Sequence, residues 1–173
     1  REKVTIPAAA SFDWEAEAAK ELANVDRNQT VVAFGFGNGV FERLAALMGF
    51  EEALLAIMEE PEEVYALFEA ITDYKIQALD YIQKTYNPDV VTYYDDVATA
   101  RDLFISPKTY RELIKHHHKR FAQACIERGI IPFYHCCGKA EALVEQDDIT
   151  VKAKKRADEI MRVADDNARS VKM

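Results

Sequence analysis

Asp89-Val90-Val91-Thr92-Tyr93-Tyr94-Asp95-Asp96 is a run of β-branched and aromatic residues that stops at two carboxylates. Residues of these types pack well on a pleated, buried surface, so the run reads as a strand. Asn87-Pro88 stands in front of it and closes whatever helix comes before. Two other stretches share its character. Thr30 to Phe36 reads Thr-Val-Val-Ala-Phe-Gly-Phe, a continuous apolar run expected of a strand buried on both faces. Ile130 to Tyr134 reads Ile-Ile-Pro-Phe-Tyr and leads into His135-Cys136-Cys137-Gly138.

Helical periodicity fills the intervals. Phe41 to Met48 predicts a short helix closed by Gly49, and Glu51 to Glu59 a second. Pro61 suits the first turn of a long helix, and Glu62 and Glu63 suit the positive end of its dipole. Val64, Leu67, Phe68, Ile71, Tyr74, Ala78, Ile82 and Tyr86 then recur on one face. Ser106-Pro107 supplies a capping hydroxyl and a first-turn proline for another helix. Its buried stripe is Tyr110, Leu113, Ile114, His117, Phe121 and Cys125, and Gly129 stops it. A helix resumes at Lys139. Upstream, Val4 to Pro7 suits a short strand and Asp13 to Ala23 a helix with Trp14, Ala18 and Leu22 aligned.

Strands separated by helices imply parallel pairing, because parallel neighbours need a crossover. The expected fold class is α/β, a (β/α)8 TIM barrel of which the chain represents part. Residues 1–173 are expected to form a single domain, with segments missing before Arg1 and near residues 145–148. Asp147 to Met173 reads as a polar, terminal helix with no strand before it.

Composition narrows the function classes. A net charge of −8 argues against nucleic-acid binding, which calls for a basic stripe. No apolar run approaches the length that spans a bilayer, and no signal-peptide core follows the N-terminus, so a cytoplasmic location is expected. The three cysteines are an odd number, and Cys136 and Cys137 are neighbours, which does not suit a relaxed disulfide. Free thiols in a reducing compartment are expected.

The candidate chemistry lies where strands end, since the carboxyl ends of barrel strands face the active site. His135 and Cys137 are two apart on an extended segment and project to one side, so they can share a zinc ion as metal ligands. Cys136 faces the other way, into packing. The alternative is a hydrogen-bonded core histidine beside buried thiols. Asp95 and Asp96 hold the equivalent place on the preceding strand and are the candidate catalytic residues. Either can orient substrate, act as a general base or support a ligand histidine, or the pair can cap a helix. Gly35-Phe36-Gly37-Asn38-Gly39 lacks the pattern of a phosphate loop and reads as a flexible loop over the barrel mouth. His116, His117 and His118 splay about 100° apart on a helix and do not converge on one ion. His117 falls on the buried stripe, and Cys125 is a small buried hydrophobe.

Taken in order, several motifs resemble the uroporphyrinogen decarboxylase superfamily. They are Gly39-Val40-Phe41-Glu42-Arg43, Met48-Gly49-Phe50-Glu51-Glu52-Ala53-Leu54, Glu60-Pro61-Glu62, Tyr94-Asp95-Asp96, Leu103-Phe104-Ile105-Ser106-Pro107 and His135-Cys136-Cys137-Gly138. The resemblance implies a (β/α)8 barrel. It also implies one of two activities. One branch moves a methyl group between a corrinoid and a thiol, using zinc held by a His-x-Cys pair and a distant cysteine. His135 and Cys137 match the pair, and no cysteine follows Cys137 in these 173 residues. This branch implies zinc as cofactor, a partner protein carrying the corrinoid (cobalamin), and a small thiol substrate. The other branch decarboxylates a tetrapyrrole without metal and is expected to show an arginine-rich N-terminal loop, which is not found here. A third reading is a corrinoid- or tetrapyrrole-binding module without activity.

Overall fold

Three of the expected strands form among the described residues, and they lie side by side in sequence order. The computed structural model describes residues 7–143 and Arg162. β1 (Ala33–Phe36), β2 (Val90–Tyr94) and β3 (Ile131–His135) make a parallel sheet with β2 in the centre. Ala33 pairs with Val90, and Tyr94 pairs with His135. Among the described residues six helices accompany them: α1 (Trp14–Leu22), α2 (Val40–Met48), α3 (Phe50–Glu59), α4 (Pro61–Tyr86), α5 (Pro107–Leu113) and α6 (Lys115–Glu127). Single 3-10 turns occur at Ala9–Ser11 and Glu141–Leu143. The second of these stands where a helix from Lys139 was expected. The predicted elements before residue 7 and in the tail after 143 lie outside the described residues, as do residues 145–148.

The crossover helix α4 spans about 39 Å at 1.5 Å per residue. Pro61 opens it, and Asn87 ends it in the left-handed region at φ 44°, with its N–H bonded to the carbonyls of Ile82 and Gln83. Its buried stripe faces two partners. Leu79 packs with Val91 and Tyr93 of β2 and with Phe121 and Cys125 of α6. Ala78, Ile82 and Tyr86 pack on the α1 side, near Ala18 and Trp14. α1 itself starts where the Asp13 side chain accepts the N–H of Ala16.

The helix predicted from Pro107 to Gly129 is broken at Ile114. α5 ends there and α6 restarts at Lys115, and the buried side chain of Ile114, at φ −114°, sits at the joint. The two short helices α2 and α3 pack with the first turns of α4 and with Val97, Ile105 and Tyr110 into a second core beyond the carboxyl end of the sheet.

Both α4 and α6 cover the same sheet face, through Phe34, Phe36, Val91 and Tyr93. The opposite face carries Ala33, Gly35, Thr92, Tyr94 and Phe133, of which Tyr94 is 39% and Phe133 55% exposed. Burial of β1 on both faces is therefore found on one face only among the described residues. Parallel sheets are covered on both faces, in barrels by the layered side chains of the other strands. Among the described residues no helix is long and apolar enough to cross a membrane.

A candidate metal site at the carboxyl end of the sheet

Because β2 and β3 are parallel and in register, the residues that follow one lie beside those that follow the other. Three bonds lace the two chain ends together. The Asp95 N–H donates to the His135 carbonyl at 3.1 Å. The Cys137 N–H donates to Asp96 Oδ1 at 2.6 Å. The Lys139 N–H donates to the Thr99 carbonyl at 2.8 Å. Gly138 permits this approach, since a Cβ there would overlap the carbonyl of Ala98.

The result is a cluster of three unlike donors. An oxygen of Asp96, a ring nitrogen of His135 and the sulfur of Cys137 all lie within 4.8 Å of one another. His135 Nε2 is 3.1 Å from Cys137 Sγ. Tetrahedral zinc, with bonds near 2.0 and 2.3 Å, separates nitrogen and sulfur by about 3.5 Å. The pair is thus within a few tenths of an ångström of the spacing that zinc requires, and the donor types suit that ion. Cys137 is exposed, while Asp96 and His135 are partly covered, so the cluster opens outward. Donation from the thiol to Asp96 pushes the Cys137 pKa above its ordinary value, with lesser contributions from desolvation and neighbouring charge. Without a cation the sulfur stays protonated at neutral pH. Cys136 packs toward the core around α2 and α5, as the alternation predicts.

Asp95 and Asp96 go different ways. Asp96 turns to the cluster. Asp95 is fully buried, and its carboxylate accepts the N–H of Phe41 at 3.3 Å and of Glu42 at 2.9 Å. It therefore caps α2 from a distant strand and meets the positive end of that helix. Gly39 is needed for this, because a Cβ would collide with the Asp95 side chain.

The glycine loop before α2 is tied down, contrary to the expectation of a flexible one. The Gly39 N–H donates to the Tyr94 carbonyl at 2.6 Å, and Lys75 Nζ donates to the Gly37 carbonyl at 3.0 Å. Lys75 is buried between the rings of Phe36 and Tyr93, at 4.6 and 5.2 Å from their centroids. Burial lowers its pKa to about 8, helped by Arg43 and opposed by Asp95 and Glu42. Asn38, at φ 53°, makes the turn.

Two side chains at this end were not recognisable as site residues in the sequence. Glu42 lies in the first turn of α2, and one of its oxygens is buried without a hydrogen-bond partner. Burial raises its pKa, followed by repulsion from Asp95 and Asp96. His118 reaches Asp95, with Nε2 at 2.7 Å from Oδ2. Its signal was the spacing Tyr110, Ile114, His118, which continues a buried face past the helix break. The other two histidines turn to Glu69, with His116 Nε2 at 3.6 Å and His117 Nδ1 at 3.4 Å. The three do not converge, as their helical splay requires.

A parallel β/α sheet carrying a sulfur, a nitrogen and an oxygen donor at the carboxyl ends of adjacent strands defines an α/β protein whose candidate site lies at this rim. The chain belongs to the uroporphyrinogen decarboxylase (URO-D) family, which it matches over residues 2–168, and that family is built on the (β/α)8 barrel. No curated protein and no solved structure matches it.

Proposed function

We propose that this protein is a zinc-dependent methyltransferase moving a methyl group between a corrinoid, carried on a partner protein, and a small thiol. The observation that carries the reading is the convergence of Asp96, His135 and Cys137 at the rim. His135 and Cys137 would hold the ion, with Asp96 as an oxygen ligand. Zinc bound there would keep an incoming thiol as its thiolate, the form able to attack a methyl group. The protein's own part is to fix the ligands by the three bonds that join β2 to β3, and to leave the outer side of the cluster open.

Charge speaks against the metal-free alternative. Glu42, Asp95 and Asp96 lie together at this end, and repulsion from the two aspartates adds to burial in raising the pKa of Glu42. Such a field attracts a cation and repels the carboxylate side chains of a tetrapyrrole.

The test is metal analysis of the purified chain, joined to methyl transfer from a methylcorrinoid to a thiol. About one zinc per chain is expected. Loss of zinc and of transfer should follow His135→Ala or Cys137→Ala. Full zinc in the double variant would refute the site, and unaltered turnover of a porphyrinogen after chelation would establish the decarboxylase instead.

A further inference from the structure

We propose that His118 is a positioning residue for the metal site, acting through Asp95 to fix the ends of β2 and β3. The inference rests on the zinc reading above and extends it to a residue on a helix outside the ligand cluster.

His118 lies on α6, behind the sheet. Its side chain is 11% exposed and reaches under the carboxyl end of β2. Tyr93, Tyr110 and Tyr134 surround the ring, with centroids 5.3, 5.7 and 4.9 Å away. Tyr110 Oη is 3.1 Å from Nδ1. Burial raises the pKa of Tyr110, so its hydroxyl keeps its proton and can donate to Nδ1. The proton of a neutral imidazole is then on Nε2, facing Asp95 Oδ2 at 2.7 Å. The bond needs no charge on the ring.

Asp95 is where this chain of bonds branches. It is fully buried, so each bond to its carboxylate is needed to offset its desolvation. Two donors come from the first turn of α2 and the third is His118. The backbone of the same residue touches the ligand segment twice. Its N–H donates to the His135 carbonyl at 3.1 Å, and its carbonyl accepts the Tyr134 hydroxyl at 2.6 Å. The next residue is Asp96, which in turn holds the Cys137 N–H. A rotation of Asp95 is therefore passed on to all three donor groups.

A brace of this sort differs from a simple contribution to stability. Without His118, the α2 donors still hold Asp95, so the fold should persist. What changes is the angle of the peptide that joins Asp95 to Asp96. Loss of such outer support around a metal ordinarily weakens binding about 10- to 100-fold.

The experiment compares the intact chain with His118→Ala, His118→Gln and His118→Asn. Zinc affinity is measured by chelator competition, coordination by the absorption spectrum of the cobalt(II)-substituted protein, and folding by the urea midpoint. His118→Ala should bind zinc roughly 10- to 100-fold more weakly, with a changed cobalt spectrum. His118→Gln, whose amide nitrogen reaches the place of Nε2, should recover most of the affinity. His118→Asn is too short and should not. Wild-type affinity and spectrum in His118→Ala, with only a lowered midpoint, would overturn the positioning role and leave the zinc reading standing. If the alanine variant does not fold, equal zinc affinity in the Gln and Asn variants overturns it. A wild-type chain that binds no zinc removes the zinc reading and this inference together.

Discussion

His117 shows how much one buried side chain can add to the pH response of this fold. It has no exposed surface, and neither ring nitrogen has a hydrogen-bond partner. The rings of Tyr65 and Phe68 pack against it at 4.8 and 5.7 Å. Burial lowers its pKa from 6.5 to about 4, outweighing the attraction of Glu69. The unfolded chain therefore takes up a proton on His117 below pH ~6.5, while the folded chain resists until pH ~4. Stability from this group is complete above the upper value and declines as the pH falls through that window. The slope is at most about 1.4 kcal/mol per pH unit. His117→Phe keeps the packing and removes the titration. Urea unfolding at pH 7 and pH 5 should show a smaller acid loss in the variant, by about 1–2 kcal/mol. Equal losses in the two proteins would mean that His117 is solvated. The same residue also shows what a sequence reveals. Its burial followed from the stripe it shares with Tyr110, Ile114 and Phe121. The bond from His118 to Asp95 did not follow, since it joins two elements whose relative placement no local pattern encodes.

Among the elements, α4 was the most legible, because a 26-residue helix states its period many times over and is closed by proline at one end and Asn87-Pro88 at the other. The strands were legible to within a few residues for a related reason: each is a short apolar run between turn signals. The break between α5 and α6 was not visible. Tyr110, Ile114, His117 and Phe121 keep helical spacing across it, and only tertiary packing at Ile114 reveals the joint. The proximity of His135 to Cys137 was legible from alternation continued past the end of β3. The separate fates of Asp95 and Asp96 were not, because that depends on α2 arriving from β1 to meet one of them. The layer between α4, the sheet and α6 should dominate stability. Leu79 is fully buried there against Val91, Tyr93 and Phe121. Leu79→Ala should cost about 2–5 kcal/mol by urea unfolding, from lost burial and the cavity left behind. Met58, 72% exposed on α3, serves as the control, and Met58→Ala should change stability by less than about 0.5 kcal/mol.

At the scale of the whole molecule, the second face of the sheet decides how the rim cluster is enclosed. β1 and β3 each have one edge without a partner among the described residues, and a groove lined by Phe12, Trp14, Val31 and Phe34 runs beside β1. In the barrel family to which the chain belongs, such a face is the barrel interior, filled in layers by the side chains of the strands around it. Phe133 tests this directly. It sits on that face beside Thr92, two residues before His135, and is 55% exposed. If the barrel closes over it in the intact protein, Phe133→Ala should cost about 3–5 kcal/mol, the ordinary loss for a large aromatic removed from a core. If the face meets water, the same substitution should change stability by less than about 0.5 kcal/mol. The first outcome would place the rim cluster at the mouth of a closed cylinder, where water is limited and a cation holds its ligands more strongly. The second would leave Asp96, His135 and Cys137 on an open ledge, with a weaker hold on zinc and no walls to orient a thiol against a corrinoid.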